Sequence, residues 1–163
     1  MAKLKILTFP DPRLRRVAAP VTKFDKSLEI FTSDMLETMY AEEGIGLAAT
    51  QVNVHERIIV MDISEERNEP EIFINPEFKI LNDKSLLSFT EGCLSVPGIT
   101  EDITRPNNIY LTWQDIKGVF HEAEPSGLLT ICIQHEIDHL EGKLMVDYLS
   151  PLKRDRIRKK ASK

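Results

Sequence analysis

Apolar residues recur at intervals of three and four over residues 26–42, so that Leu28, Phe31, Met35 and Met39 share one side of a helix. Asp25 or Ser27 can cap the first turn of that helix, and Gly44 can end it. The same period returns over residues 126–141, with Leu128, Ile131, Cys132, His135 and His139 on the inner face, the Ser126 hydroxyl as cap and Gly142 as stop. Between these helices the pattern is that of strands, over residues 57–63, 71–81, 85–89, 109–114 and 119–123. A charged turn over residues 64–70 follows the first of them, and Asn82-Asp83 and Lys117-Gly118 supply turn chemistry between later ones. Helices laid against mostly antiparallel strands predict an α+β fold in a single domain, while strand order stays open.

At 163 residues the chain is long enough to bury one core without disulfides, and no repeat, low-complexity tract or linker divides it. With only two cysteines, Cys93 and Cys132, and no apolar stretch long enough for a signal peptide or membrane span, a reducing, cytoplasmic setting is expected. The net charge of −5 conceals an asymmetry: residues 151–163 hold seven Lys or Arg against Asp155, so this segment is +6 and the remainder −11. Leu152 and Ile157 among Arg154, Arg156 and Arg158 fit either a basic, marginally amphipathic helix or a solvated tail. Residues 1–150 are read as the body of the domain, to which any catalytic site would belong, and 151–163 as a basic C-terminal tail or helix of the same domain. No heptad pattern is present, and a monomer is the expectation.

The most informative residues are 135–139, His-Glu-Ile-Asp-His. At about 3.6 residues per turn, His135 and His139 stand one above the other, and Glu136 lies about 100° round, placed to serve water beside a metal without ligating it. The origin of the third ligand decides the class of site. After Glu141 no glutamate remains for a thermolysin-type arrangement, and the metzincin extension breaks at Met145, where the third histidine would stand. The upstream candidates are His55, Cys93, His121 and Cys132. Cys132 shares the helical face, but seven residues from His139 is about 10.5 Å of rise, too far for bonds near ~2 Å, and its apolar surroundings suit a core thiol. His55 and His121 fall in polar surroundings typical of surface histidines. Cys93, in Glu91-Gly92-Cys93-Leu94-Ser95 after a strand-like run, can be presented by the turn that Gly92 permits. Cys93, His135 and His139 leave one coordination position open, the layout of a catalytic metal site.

The segment 44–49, Gly-Ile-Gly-Leu-Ala-Ala, also satisfies a loose dinucleotide fingerprint, with Glu65 or Glu66 downstream. That fingerprint needs a strand before and a helix after, whereas a helix precedes this one and an extended segment follows. Gly44 and Gly46 instead allow bare backbone near a substrate, with Gln51 aiming an amide at the reacting centre. The alternative is a tight helix-ending loop with Gln51 merely exposed.

Three segments together, Gly-Ile-Gly-Leu-Ala-Ala-Thr-Gln at 44–51, Glu-Gly-Cys-Leu-Ser at 91–95 and Gln-His-Glu-Ile-Asp-His at 134–139, resemble in order and spacing the signature motifs of bacterial peptide deformylases. The likeness extends to Phe9-Pro10-Asp11-Pro12-Arg13-Leu14 and to Asp147-Tyr148-Leu149-Ser150-Pro151-Leu152, and so spans nearly the whole chain. It implies a hydrolase that removes the formyl group from N-formylmethionyl nascent peptides, with Glu136 moving the proton and the Gln51 side chain and Leu94 backbone N–H stabilising the oxyanion. Ile45, Leu128, Ile131 and Cys132 then fit walls of a methionine pocket, although the same positions suit plain core. Glu91 fits either a partner of a ligand histidine or an exposed acid. Thr100 stands where similar proteins carry an arginine or large aromatic nearby, which leaves contacts beyond methionine open. The resemblance further implies ferrous iron, where Cys and His ligands equally suit zinc, cobalt or nickel. It also implies docking of the basic C-terminal extension on the ribosome near the nascent-chain exit, and neither DNA nor membrane as partner. A metallopeptidase acting on unformylated peptides, or a non-catalytic metal-stabilised binding domain, would share the pentapeptide.

Overall fold

A computed structural model describes residues 2–161. In chain order the elements are α1 (Lys26–Ala41), β1 (Gly46–Ala48), β2 (Ile58–Met61), β3 (Glu71–Cys93), β4 (Val96–Gln114), β5 (Phe120–Ala123), α2 (Leu128–Leu140) and α3 (Pro151–Ala161). The strands form one antiparallel sheet in sequential order from β1 to β5. This is the expected α+β architecture.

β2 shows how the sheet is held, because all four of its residues are buried and successive side chains face opposite ways. Ile59 and Met61 join Phe73, Ile109 and Leu111 against Cys132, Ile133, Ile137 and Leu140 of α2. Ile58 and Val60 join Leu47 and Ile74 against Leu28, Met35 and Met39 of α1. The sheet is thus packed on both faces, and truncating any of these aliphatic side chains to alanine would cost about 2–5 kcal/mol. A third cluster ties Leu7, Phe9 and Leu14 to Val96, Ile103, Leu144 and Ile157. Ile157 thereby docks α3 on the domain, whereas Leu152 is exposed.

Several expectations need correction. Residues 71–81 and 85–89 belong to a single strand, β3, that continues to Cys93; Asn82-Asp83 is not a turn between strands but part of an irregular stretch where the register against β4 shifts. β4 likewise begins at Val96, well before residue 109, because the two long strands zip together from the tight Leu94-Ser95 turn outward. Ser126 does not cap α2: Gly127 occupies the cap position and no side chain bonds to the helix start. In α1 Asp25 is the cap, accepting from the Leu28 N–H, while Phe31 is only half-buried. The left-handed residue that ends this helix is Glu43 (φ 57°), with the Gly44 N–H donating back to the Met39 carbonyl at 2.9 Å.

Candidate metal centre

Two elements build the site. α2 carries His135 and His139 with ring centroids 5.1 Å apart. The β3–β4 turn swings Cys93 over them, bringing its Sγ to 3.3 Å from His139 Nε2. One ligand atom from each of Cys93, His135 and His139 lies within 4.8 Å of the others. Cys132 is not in this group: burial, then the nearby carboxylates of Glu136 and Glu91, push its thiol up to about 12. His55 contacts the Arg13 carbonyl at 3.1 Å and His121 pairs with Asp115 at 2.8 Å, both away from the site.

Glu91 is buried, not an exposed acid, and its Oε1 lies 2.9 Å from His135 Nδ1. Accepting that proton leaves Nε2 of His135 as the lone-pair nitrogen. Arg105 grips the same carboxylate with two bonds, Nε to Oε2 at 2.7 Å and Nη2 to Oε1 at 2.9 Å. Arg105 also reaches Asp138 at 2.9 Å, and Tyr148 lays its ring on the guanidinium while donating to Asp138 at 2.6 Å. Burial opposes an ionised Glu91, but the bonds from Arg105 and His135 outweigh it and lower its pKa.

Glu136 is buried, and burial raises its carboxyl to about 7. Its Oε1 has no hydrogen-bond partner among the described residues. Room for this carboxylate exists because residue 46 is glycine: a Cβ there would stand 2.7 Å from Glu136 Oε2. Gln51 is also buried. Its Oε1 accepts from the Ala48 N–H at 2.9 Å, which turns the amide nitrogen toward Ser95 Oγ at 3.0 Å and Cys93 Sγ at 3.7 Å.

This centre lies at the floor of a cleft of about 630 Å³, whose walls include Gly44, Ile45 and Gly46 on one side and Leu94, Pro97 and Thr100 on the other. A recess of about 80 Å³ shares Ile45, His135 and Glu136 with it and is closed by Phe89, Leu128, Ile131 and Cys132. The expected pocket residues are therefore brought together. Glu91 borders the recess too, but its carboxylate is engaged by His135 and Arg105. Leu94 lies in the turn and packs against Gly44, where a Cβ would meet Leu94 Cδ1 at 2.6 Å.

The donor set fits a soft or borderline divalent cation: one thiolate sulfur and two imidazole nitrogens, with no fourth protein ligand among the described residues. The electrostatics agree. Burial disfavours a charged His135, yet Glu136, Cys93 and Glu91 outweigh it and raise its pKa well above the usual histidine value, and a bound cation would take the place of the proton on Nε2. Burial, with the positive charges of His135 and Arg105, holds His139 well below that value, and it remains a neutral donor.

The sequence alone assigns no role to Arg105 or Phe89, nor to Ser95 and Tyr148, although these two lie within the segments that carry the resemblance. Asp138 at least lay within the pentapeptide, one turn from His135. Arg105 had no local signal, since its partners come from β3, α2 and the segment before α3.

Three comparisons bear on this geometry. The family model described as polypeptide deformylase matches residues 3–155. The peptide deformylase of Azotobacter vinelandii is 58% identical over 163 residues, covering 100% of this chain and 96% of the relative. Among solved structures, a peptide deformylase from Legionella pneumophila superposes with a TM-score of 0.91 at 45% identity, covering 99% of this chain and 94% of that one. The peptide deformylase of Ehrlichia chaffeensis, in complex with actinonin, gives 0.93 at 41% identity, covering 99% and 97%.

Proposed function

The chain belongs to the polypeptide deformylase family, and from that premise we propose how its own residues release formate from an N-formylmethionyl peptide. It is a metal-dependent hydrolase. The observation that carries the assignment of roles is the buried Glu136 carboxylate, whose Oε1 has no partner among the described residues, beside three converging ligand atoms.

Cys93, His135 and His139 would hold a divalent ion, which when bound activates water and polarises the formyl carbonyl. Glu136, whose burial raises its carboxyl above the usual carboxylate range, suits a group that takes a proton from water and returns it to the leaving amine. As the water oxygen bonds to the formyl carbon and the carbon–nitrogen bond breaks, that proton passes to the leaving amine, giving formate and a free N-terminus. The Gln51 amide and the Leu94 N–H are assigned to the oxyanion, and losing one such donor costs about 3 kcal/mol of barrier. The recess beyond Ile45 takes the methionine side chain: Leu128 and Ile131 line it, and the neutral Cys132 thiol adds a polarisable wall. β1 is an edge strand, so extended peptide beyond methionine can pair along it.

Release of formate from formyl-Met-Ala-Ser by metal-loaded protein, with no cleavage of the unformylated peptide, tests this reading. Internal cleavage of the unformylated peptide would favour an ordinary metallopeptidase instead.

We assign ferrous iron as the working ion, an expectation supported by the family resemblance and the mixed thiolate and imidazole donors. Metal analysis after anaerobic and aerobic purification checks it: iron should fall, and zinc rise, in the aerobic material. The basic face of α3 is assigned to ribosomal RNA near the nascent-chain exit. Because Ile157 is buried, the test is charge reversal at the exposed Arg156 and Lys160, not deletion, with ribosome co-sedimentation at two salt concentrations. Both cysteines are free, which suits a reducing, cytoplasmic setting, and among the described residues no helix is long and apolar enough to cross a membrane. A monomer is taken as the working unit, to be checked by sedimentation at assay concentration.

A further inference from the structure

The wall of the cleft formed by residues 44–46 is held from behind by a side chain outside all three motifs. Arg67 Nη1 donates to the Asp62 carbonyl at 2.5 Å, Nη2 donates to the Gly44 carbonyl, and the guanidinium lies 5.2 Å from the Tyr40 ring centroid. The turn that delivers Arg67 is itself braced. The buried Asp62 carboxylate accepts from the Ser64 N–H at 2.9 Å, the Ser64 hydroxyl at 2.5 Å, the Glu69 N–H at 3.1 Å and the Tyr40 hydroxyl at 2.5 Å. Arg67 takes a left-handed backbone conformation (φ 56°), uncommon for a residue with a long side chain and sustained only where surrounding contacts over-determine it.

On the cleft side, the same three residues have little freedom. Leu94 fills the space beside Gly44, and the Glu136 carboxylate fills the space beside Gly46. The Ile45 carbonyl accepts from the Asp62 N–H at 2.8 Å. Residues 44–46, which lead into β1, are therefore held by Leu94 and Glu136 on the cleft side and by Arg67 at the Gly44 carbonyl, while the Glu136 spacing is set at Gly46 itself.

We propose that Arg67 is a positioning residue for the substrate: by fixing the Gly44 carbonyl it sets the strand edge on which the peptide beyond its first residue aligns, and so governs affinity for that part. The inference rests on the deformylase reading above. Thr100 also lines the cleft and offers only a short side chain. A substrate that ends at methionine uses the reacting centre and the apolar recess and is indifferent to this restraint.

The test compares formyl-Met-Ala-Ser with N-formylmethioninamide on the metal-loaded full chain, for wild type, Arg67→Met and Arg67→Lys. Methionine preserves the apolar stem over Tyr40 and removes the donors; lysine keeps one point charge that cannot serve two carbonyls. Losing a charge-assisted hydrogen bond should raise KM for the tripeptide about tenfold in Arg67→Met, with kcat within about twofold and both constants for the amide within about twofold. Arg67→Lys should fall between, and it carries the comparison should Arg67→Met melt below assay temperature. An equal loss on both substrates, or a change in kcat alone, would make Arg67 a general structural residue and overturn the proposal, as would no change. If wild type cleaves neither substrate, the deformylase reading fails and this inference falls with it.

Discussion

Replacing Gly46 by alanine probes the centre without touching a ligand. The added Cβ would lie 2.7 Å from Glu136 Oε2, 3.2 Å from Cδ and 3.3 Å from Cγ. Ordinary contact begins near ~3.5 Å, so the carboxylate must retreat by roughly 1 Å. It can do so, since it is the far end of a flexible side chain, and the fold need not yield. Gly46 sits in β1 without a positive φ, and alanine there should recover about 0.5–1 kcal/mol of backbone entropy that offsets the displacement. Displacing a reacting group by about 1 Å costs about 10²-fold in rate, or about 2.7 kcal/mol of barrier. The assay is kcat on formyl-Met-Ala-Ser, with metal content and thermal midpoint measured on the same preparation. Gly46→Ala should keep its metal and its midpoint while kcat falls about a hundredfold. Full kcat would refute the reasoning, because it would mean that the position of the Glu136 carboxylate does not matter to the reaction.

Other outcomes follow from the same geometry. Glu136→Gln should keep metal and lose about 10²–10⁴ in kcat, measured by formate release; retained turnover removes Glu136 from proton transfer. Arg105→Leu leaves the buried Glu91 carboxylate without its bidentate partner. Urea unfolding should show a loss of about 3–5 kcal/mol, and competition with a chelator should show metal affinity weakened about 10- to 100-fold. Asp62 should contribute acid-sensitive stability. Burial opposes its charge, but bonds from Ser64, Tyr40 and the Glu69 N–H bring its pKa down to about 2 from 3.8. A lowered folded pKa means that the contribution is complete above about pH 4 and is lost as the pH falls toward 2. Wild type should therefore lose more of its urea midpoint than Asp62→Asn between about pH 5 and about pH 3, and equal losses would contradict the assignment.

How much of this was legible in the sequence depended on whether a signal was local. The helical period put His135 and His139 on one face, and the rise per residue separated Cys132 from them, so the ligand set needed only Cys93 to be brought across. The glycine at residue 46 indicates open backbone from the sequence, but its use as the space for the Glu136 carboxylate is visible only once α2 packs against β1. Glu91 had two readings, and burial against Arg105 decided between them. Arg105 itself, 14 residues along the hairpin from Glu91, looked like any charged strand residue, because its role exists only after β3 and β4 pair. The Asn82-Asp83 error has the same origin: turn-forming residues were absorbed as an irregularity once the flanking strands found longer-range partners. Ser126 missed capping by one position, where Gly127 (φ 63°) takes the bend that starts α2.

The central claim is that one thiolate and two imidazoles from separate elements hold a single ion with a position left open for chemistry. X-ray absorption at the metal edge, on anaerobically purified wild type and on Cys93→Ala, tests it most directly. The account predicts one ion per chain, with one sulfur neighbour near ~2.3 Å and two imidazole nitrogens in wild type, and loss of the ion from the variant. A wild-type spectrum without sulfur, or a variant that keeps its ion with the same spectrum, would contradict it.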